Sequence, residues 1–207
     1  MSRVSGFGQY KDDFFNKLNF RFEKGKAILD VGCGPGTDAE IFIKAYGLNF
    51  YGIDVYEDEN IKKSNLKFKI GTIYDIPYKE SFFNYVFSHD VIHHIDDYQR
   101  KENYIKGLRE LRRVCKKGGY VIIVEGNRYN PLFYPHMVKM RGHEHLAHSV
   151  FKEIVEKVFA KDNIRFKFFE AHSYPFLLPI FKAYEALMEK FSPKMFLSYN
   201  VAIIEKA

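Results

Sequence analysis

Apolar positions along the chain fall into two rhythms that take turns. Ala27 to Val31 is a short, nearly unbroken apolar run that stops at glycines, which predicts a buried strand. Helical spacing follows from Thr37 to Tyr46, and Gly47 ends it. Asn49 to Val55 reads as a second strand. Leu66 to Ile70 reads as a third, with Leu66, Phe68 and Ile70 on alternate positions. Tyr85 to Phe87 is a fourth. Asp97 is expected to open a long helix that places Tyr104, Leu108, Leu111 and Cys115 on one face and ends at Gly118-Gly119. Tyr120 to Val124 is a fifth strand. A helix from about Ser149 to Phe159 precedes two closing strands, Arg165 to Glu170 and Ser198 to Ile204, with an amphipathic helix, Ile180 to Phe191, between them. The stretch from Asn127 to His148 keeps neither rhythm and is rich in Tyr, Phe and His. Strands alternating with helices predict a doubly wound α/β sheet, largely parallel, with helices on both faces.

Composition narrows the class without naming a function. The 207 residues suit one domain, and 46% hydrophobic with 28% charged residues is ordinary for a globular protein. The two cysteines, Cys33 and Cys115, suggest neither a disulfide framework nor a zinc site. The first fifteen residues lack an apolar signal core, and the longest apolar stretch, Pro175 to Phe181, is too short to span a bilayer. These features point to a reducing, cytoplasmic setting. The net charge is +6, but the lysines are scattered, so solvated helix faces are the expected reading.

The strongest local signal is Asp30-Val31-Gly32-Cys33-Gly34-Pro35-Gly36, placed between a strand and a helix. Ligands enter a doubly wound sheet at such a turn, and glycine lets the backbone approach them closely. The dinucleotide fingerprint needs its third glycine one residue later, where Thr37 stands. That spacing disfavours an NAD(P)-binding oxidoreductase. Asp54 ends the next strand, 22 residues after Gly32, where a carboxylate can accept both hydroxyls of an adenosine ribose.

ILDVGCGPG resembles the first motif of class I S-adenosylmethionine-dependent methyltransferases, especially the small-molecule, type 11-like group. YGIDV resembles the family's ribose-binding strand end. GTIYDIPYKESFFNYVFSHDVIHHI resembles its third-strand loop and fourth strand, and LRRVCKKGGYVIIVEGN the approach to its fifth. The resemblance covers residues 27 to 127 in the right order. It implies a Rossmann-like seven-stranded sheet with the last strand antiparallel, in a single domain over 1-207. A substrate lid would lie near 127-150 and a helical insertion near 176-192. It implies S-adenosylmethionine as cofactor. Asp30 would meet its methionine amino group, and Gly32, Cys33, Gly34 and Gly36 would pass beneath it. Asp54 would take the ribose, and Val55 would lie against the adenine. Thr72 stands where the family often has an acidic residue, so the adenine contact would come from Thr72, the Ile73 amide or Asp75. Asn84 replaces the usual Asp before the fourth strand, a change expected to affect loop structure.

Methyl transfer is a displacement in which the cofactor supplies the leaving group, and the protein aligns the partners and excludes water. Strand four is expected to bring Ser88 to the cofactor and His89 beside the methyl group as candidate base. His93 and His94 read as packing and hydrogen-bonding residues. His89 with His93, or His143, His145 and His148, have spacings compatible with a metal, but no metal is expected. Adenine amino methyltransferases carry an Asn/Asp-Pro-Pro-aromatic loop after strand four. Ser88-His89-Asp90-Val91 stands there instead, which disfavours nucleic acid as substrate. The aromatic stretch Tyr129 to His136 suits a lid over a small or lipid-like organic acceptor. The helix with Leu177, Leu178, Phe181, Leu187 and Phe191 suits packing against the sheet, ahead of docking on a membrane surface. A methyltransferase-like protein that binds the cofactor without turnover is the alternative outside enzymes, and the intact first motif disfavours it.

Overall fold

The computed structural model describes residues 5–94, 101–140, 142, 145–172 and 178–207. Seven strands form one sheet: β1 (Ala27–Val31), β2 (Asn49–Asp54), β3 (Lys67–Ile70), β4 (Phe83–His89), β5 (Cys115–Gly126), β6 (Asn163–Phe169) and β7 (Tyr199–Glu205). Their order is β3-β2-β1-β4-β5-β7-β6. β7 runs antiparallel to both of its neighbours, and the other pairs are parallel. This is the Rossmann-like, mostly parallel sheet expected, with the last strand reversed. The chain winds one way from β1 to β3 and the other way from β4, so the switch point lies between the carboxyl ends of β1 and β4.

Both faces of the sheet are covered, which is why the central strands read as continuous apolar runs. In β5, Val121 and Ile123 face α3 (Lys101–Val114) and α4 (His148–Val158) through Leu108, Leu111, Phe151 and Val155. Ile122 and Val124 face the opposite core, where Phe14, Phe15 and Leu18 of α1 (Ser5–Leu18) meet Phe42 and Phe87. α1 was not among the predicted elements, although Tyr10, Phe14 and Leu18 stand at four-residue spacing.

Four further expectations are corrected. The helix after the glycine loop is mostly π-helical, Ile41–Ala45, before Gly47 ends it with φ of 65°. Gly118-Gly119 does not end α3, because the chain has already joined β5 at Cys115, which pairs with Phe83; the two glycines carry an irregularity in that pairing. The 127–148 segment is less irregular than expected. It holds a π-helical stretch, Tyr134–Met140, and a bridge between Asn127 and Leu146. Buried Asn127 donates to the carbonyls of Met195 and Leu197, and buried Asn130 to Glu170 and the Phe196 carbonyl. Finally, α5 (Leu178–Phe191) leaves Ile180, Leu187 and Phe191 exposed. It attaches by charge: Lys182 reaches Asp13 at 2.6 Å, and Lys17 reaches Glu185 at 3.0 Å and Glu189 at 2.9 Å. Asp97, Arg141, His143, Glu144, Pro175 and Leu177 lie outside the described residues.

Candidate functional site

Positive φ at Gly32, Gly34 and Gly36 carries the chain from β1 into a tight loop that a side chain would strain. Gly32 and Cys33 donate their N–H groups to the Ile53 carbonyl, at 2.9 and 3.1 Å, which binds the loop to the end of β2. A Cβ on Gly32 would lie 2.4 Å from Val91, so this position also seats the chain leaving β4. Cys33 is buried against Gly52, where a Cβ would lie 2.8 Å from its sulfur. Burial pushes its thiol well up, which leaves it an unreactive packing group.

Asp54 closes the loop from the other side. Gly34 N–H donates to its Oδ2 at 2.8 Å and Val55 N–H to its Oδ1 at 2.7 Å. Two amides therefore aim the carboxylate before any ligand arrives. Each oxygen keeps a further lone pair for an incoming hydroxyl.

A cavity of about 490 Å³ opens here, lined by Gly32, Asp54, Val55, Thr72 and Ile73 on one side and by Asp90, Val91 and His94 on the other. That volume is in the range of small-molecule sites. Asp75 does not line it; a short bridge with Thr72 turns that loop. Asn84 acts on the sheet, where its Oδ1 accepts from Ala27 N–H at 3.2 Å.

The remaining candidates, Asp30, Ser88 and His89, do not line the cavity. Ser88 is fully buried, and its Oγ has no hydrogen-bond partner among the described residues. His89 stacks on Phe14 of α1 with ring centres 4.6 Å apart. Its Nδ1 lies 3.4 Å from Asp38 and its Nε2 3.7 Å from Asp90. Asp30 is buried near a pair that the sequence reading missed, Lys11 and Asp38, 2.6 Å apart. Burial and the neighbouring Asp38 hold the Asp30 carboxyl well above its ordinary value, against the pull of Lys11. Burial opposes ionisation of Asp38 too, yet the His89 hydrogen bond and the Lys11 ammonium hold it down to about 2. Tyr10 and Tyr199 share a hydrogen bond of 2.7 Å beside this group. Only the apolar spacing of α1 signalled its presence in the sequence.

The structure thus brings Gly32, Asp54, Val55, Thr72 and Ile73 to one cavity, whereas Cys33, Gly34, Gly36, Asp30, Ser88 and His89 do not line it. The donor set suits S-adenosylmethionine: a carboxylate for a diol, bare glycine backbone, and carboxylates rather than cations around a ligand that carries positive charge. A second concavity of about 530 Å³ lies at the other end of the strands, before the starts of β4, β5 and β6, near Arg109, Arg112 and Lys206. Arg112 is already paired with Asp162 at 2.6 Å, and Arg113 with Glu110 at 2.7 Å.

Comparison with known proteins agrees. Residues 29–123 match the family described as a methyltransferase domain. The chain is 33% identical over 129 residues to an uncharacterized methyltransferase of Schizosaccharomyces pombe, covering 55% of this chain and 44% of that one. It is 31% identical over 121 residues to norajmaline N-methyltransferase of Rauvolfia serpentina, covering 54% and 39%. The matched stretch is thus less than half the length of these curated relatives. A solved S-adenosylmethionine-dependent methyltransferase from Archaeoglobus fulgidus superposes with a TM-score of 0.69 over 96% of this chain and 94% of that chain, at 18% identity, and so shares the fold. Glycine loop, strand-end aspartate, sheet order and family match converge: the chain carries a class I S-adenosylmethionine-dependent methyltransferase domain of the type 11 group.

Proposed function

We propose that this protein transfers a methyl group from S-adenosylmethionine to a small or lipid-like organic acceptor. The observation that carries the reading is the cavity that joins Asp54 and Gly32 to Asp90 and Val91, just past the end of β4. When bound, the cofactor supplies an activated methyl group on a sulfonium leaving group. Asp54 takes the ribose hydroxyls, Val55 and Ile73 pack against the adenine, and Thr72 accepts from its amino group. Gly32 to Gly36 pass beneath the methionine part. Asp30 faces its ammonium, a partner that would favour the charged carboxylate. His89, between Asp38 and Asp90, takes a proton from an acceptor that still carries one.

Residues near 127–150 form the acceptor cover in this reading, within a single domain over 1–207 in which α5 is the insertion expected near 176–192. Asn127 and Asn130 pin the root of the cover, and Phe133 packs against Tyr199 with ring centres 5.7 Å apart. The Rauvolfia relative is named for a small organic acceptor, which supports the same class here. We place the protein in the cytoplasm. Cys33 and Cys115 are buried free thiols, and among the described residues no helix is long and apolar enough to cross a membrane.

Calorimetry tests the cofactor. S-adenosylmethionine and its demethylated product are expected to bind at micromolar levels and NAD far more weakly; preferential NAD binding overturns the assignment. Incubation with methyl-labelled cofactor and a cell extract tests the acceptor. Label is expected in the small-molecule or lipid fraction, and label confined to nucleic acid or protein refutes the acceptor class.

A further inference from the structure

Three side chains converge around Asp90, which lines the cavity on the side away from Asp54. Asp90 follows β4, His93 sits on the turn Ile92–His94, and His145 arrives from the far end of the 127–148 segment. One oxygen or nitrogen from each lies within 4.8 Å of those from the other two. The His93 and His145 rings are buried, with centres 4.3 Å apart.

Each of the three is held from behind. Asp90 adopts φ of 54°, a left-handed conformation that aspartate tolerates better than most residues. Its Oδ1 there accepts from Gly126 N–H at 2.8 Å. Glu125, fully buried, accepts from the N–H groups of Val91 and Ile92, and its Oε2 lies 2.8 Å from His93 Nδ1. A carboxylate can only accept, so Nδ1 of a neutral His93 carries the proton and Nε2 keeps the lone pair. A carboxylate behind a histidine is the usual support of a metal-ligating imidazole. Gly126 makes room for the third member. A Cβ there would lie 2.8 Å from His145 Nδ1 and 3.5 Å from Asp90 Oδ1. His148, which the sequence spacing grouped with His145, turns away, its Nδ1 2.9 Å from Asn200.

We propose that Asp90, His93 and His145 bind a divalent transition ion, with zinc the best match to two imidazoles and one carboxylate. Ligand bonds of about 2.0–2.2 Å require the three atoms to draw closer together than they now stand. Three protein ligands leave a fourth position open, the arrangement of reactive rather than structural zinc. Asp90 also lines the cavity, so the ion sits at its wall. Its chemical role rests on the methyl-transfer reading. An acceptor hydroxyl on the ion would have a lower pKa and would pass its proton more readily to His89, the base of that reading. The resulting oxygen would form the new O–C bond as the sulfonium S–C bond breaks.

The test needs no acceptor. The full chain is stripped with EDTA and titrated, without cofactor, with Zn²⁺ by calorimetry and with Co²⁺ by visible absorption. One equivalent is expected to bind at micromolar strength or tighter, with the intense bands of low-coordinate Co²⁺. His145→Ala should weaken Zn²⁺ binding at least about 100-fold and Glu125→Gln about 10- to 100-fold. His148→Ala should leave it unchanged. If His145→Ala fails to fold, Asp90→Asn carries the same test, since asparagine tolerates the left-handed backbone and still accepts from Gly126. A folded wild type that binds no Zn²⁺, or binding that survives loss of His145 or Asp90, overturns the proposal. Cofactor affinity measured on the same samples separates the two readings. Lost S-adenosylmethionine binding with metal retained would sink the methyl-transfer reading alone.

Discussion

On the β2 side of the cavity, Asp54 is positioned by the amides of Gly34 and Val55, all within two adjacent parallel strands and their loops. On the β4 side, His89, Asp90 and His93 are positioned by side chains from α1, the glycine-loop helix, β5 and the 127–148 segment. The first half depends on backbone conformation, which glycine permits and few substitutions can imitate. The second depends on remote elements docking with their charges matched, so it is open to disruption from far along the chain.

The largest expected effect falls on that remote docking. Lys11 and Asp38 are a buried pair, and Lys11→Met leaves the carboxylate without its ammonium. Breaking such a pair costs about 3–5 kcal/mol, which urea unfolding would register. A loss under about 1 kcal/mol would show that the Lys11–Asp38 pair contributes little to holding α1 on the sheet.

The anchor of the 127–148 segment should show in the pH dependence. Burial, aided by Glu185 and Glu189 and opposed by Ser198, raises the Glu170 carboxyl from 4.5 to about 7. The folded protein then holds a proton that the unfolded chain releases. Stability from this group is whole below pH 4.5 and is lost as pH rises through about 7. At 1.36 kcal/mol per pKa unit the loss is at most about 3 kcal/mol. Glu170→Gln should flatten the stability profile over that window. Parallel profiles for wild type and variant would remove Glu170 from the account.

On the β2 side, Asp54→Ala removes charge-assisted hydrogen bonds worth about 1.5–3 kcal/mol each. Cofactor binding by calorimetry should weaken by roughly 10- to 100-fold. Thr72→Ala should cost less, because its hydroxyl is a neutral acceptor. Unchanged affinity in Asp54→Ala would move the ribose elsewhere.

The smallest effect sharpens the boundary between the halves. Phe133→Ala and Tyr134→Ala should leave cofactor affinity within about threefold, under 0.7 kcal/mol, while depressing turnover. A larger loss of affinity would mean that the cover also closes on the cofactor.

Local signals made the first half legible. β1 runs from Ala27 to Val31, as its apolar run predicts, and Gly32 and Asp54 line the cavity their spacing suggests. Gly118-Gly119 misled because a glycine pair is a helix stop only where nothing else claims the chain, and β4 claims it at Cys115. α5 misled because its apolar spacing suggests packing, while ion pairs to α1 hold it by its charged side.

The order of apolar and polar positions by itself determined a doubly wound sheet and the glycine turn after its first strand, because strand burial and glycine loops are set by neighbours in sequence. Tertiary structure alone decided which histidines meet. His145 joins Asp90 and His93 rather than His148, because Gly126 admits its ring above β5 while Asn200 takes His148 away. It also decided that Lys11 of α1 reaches Asp38 beside the glycine loop. Contacts across such separations follow from how helices dock on the sheet, which no periodicity along the chain encodes.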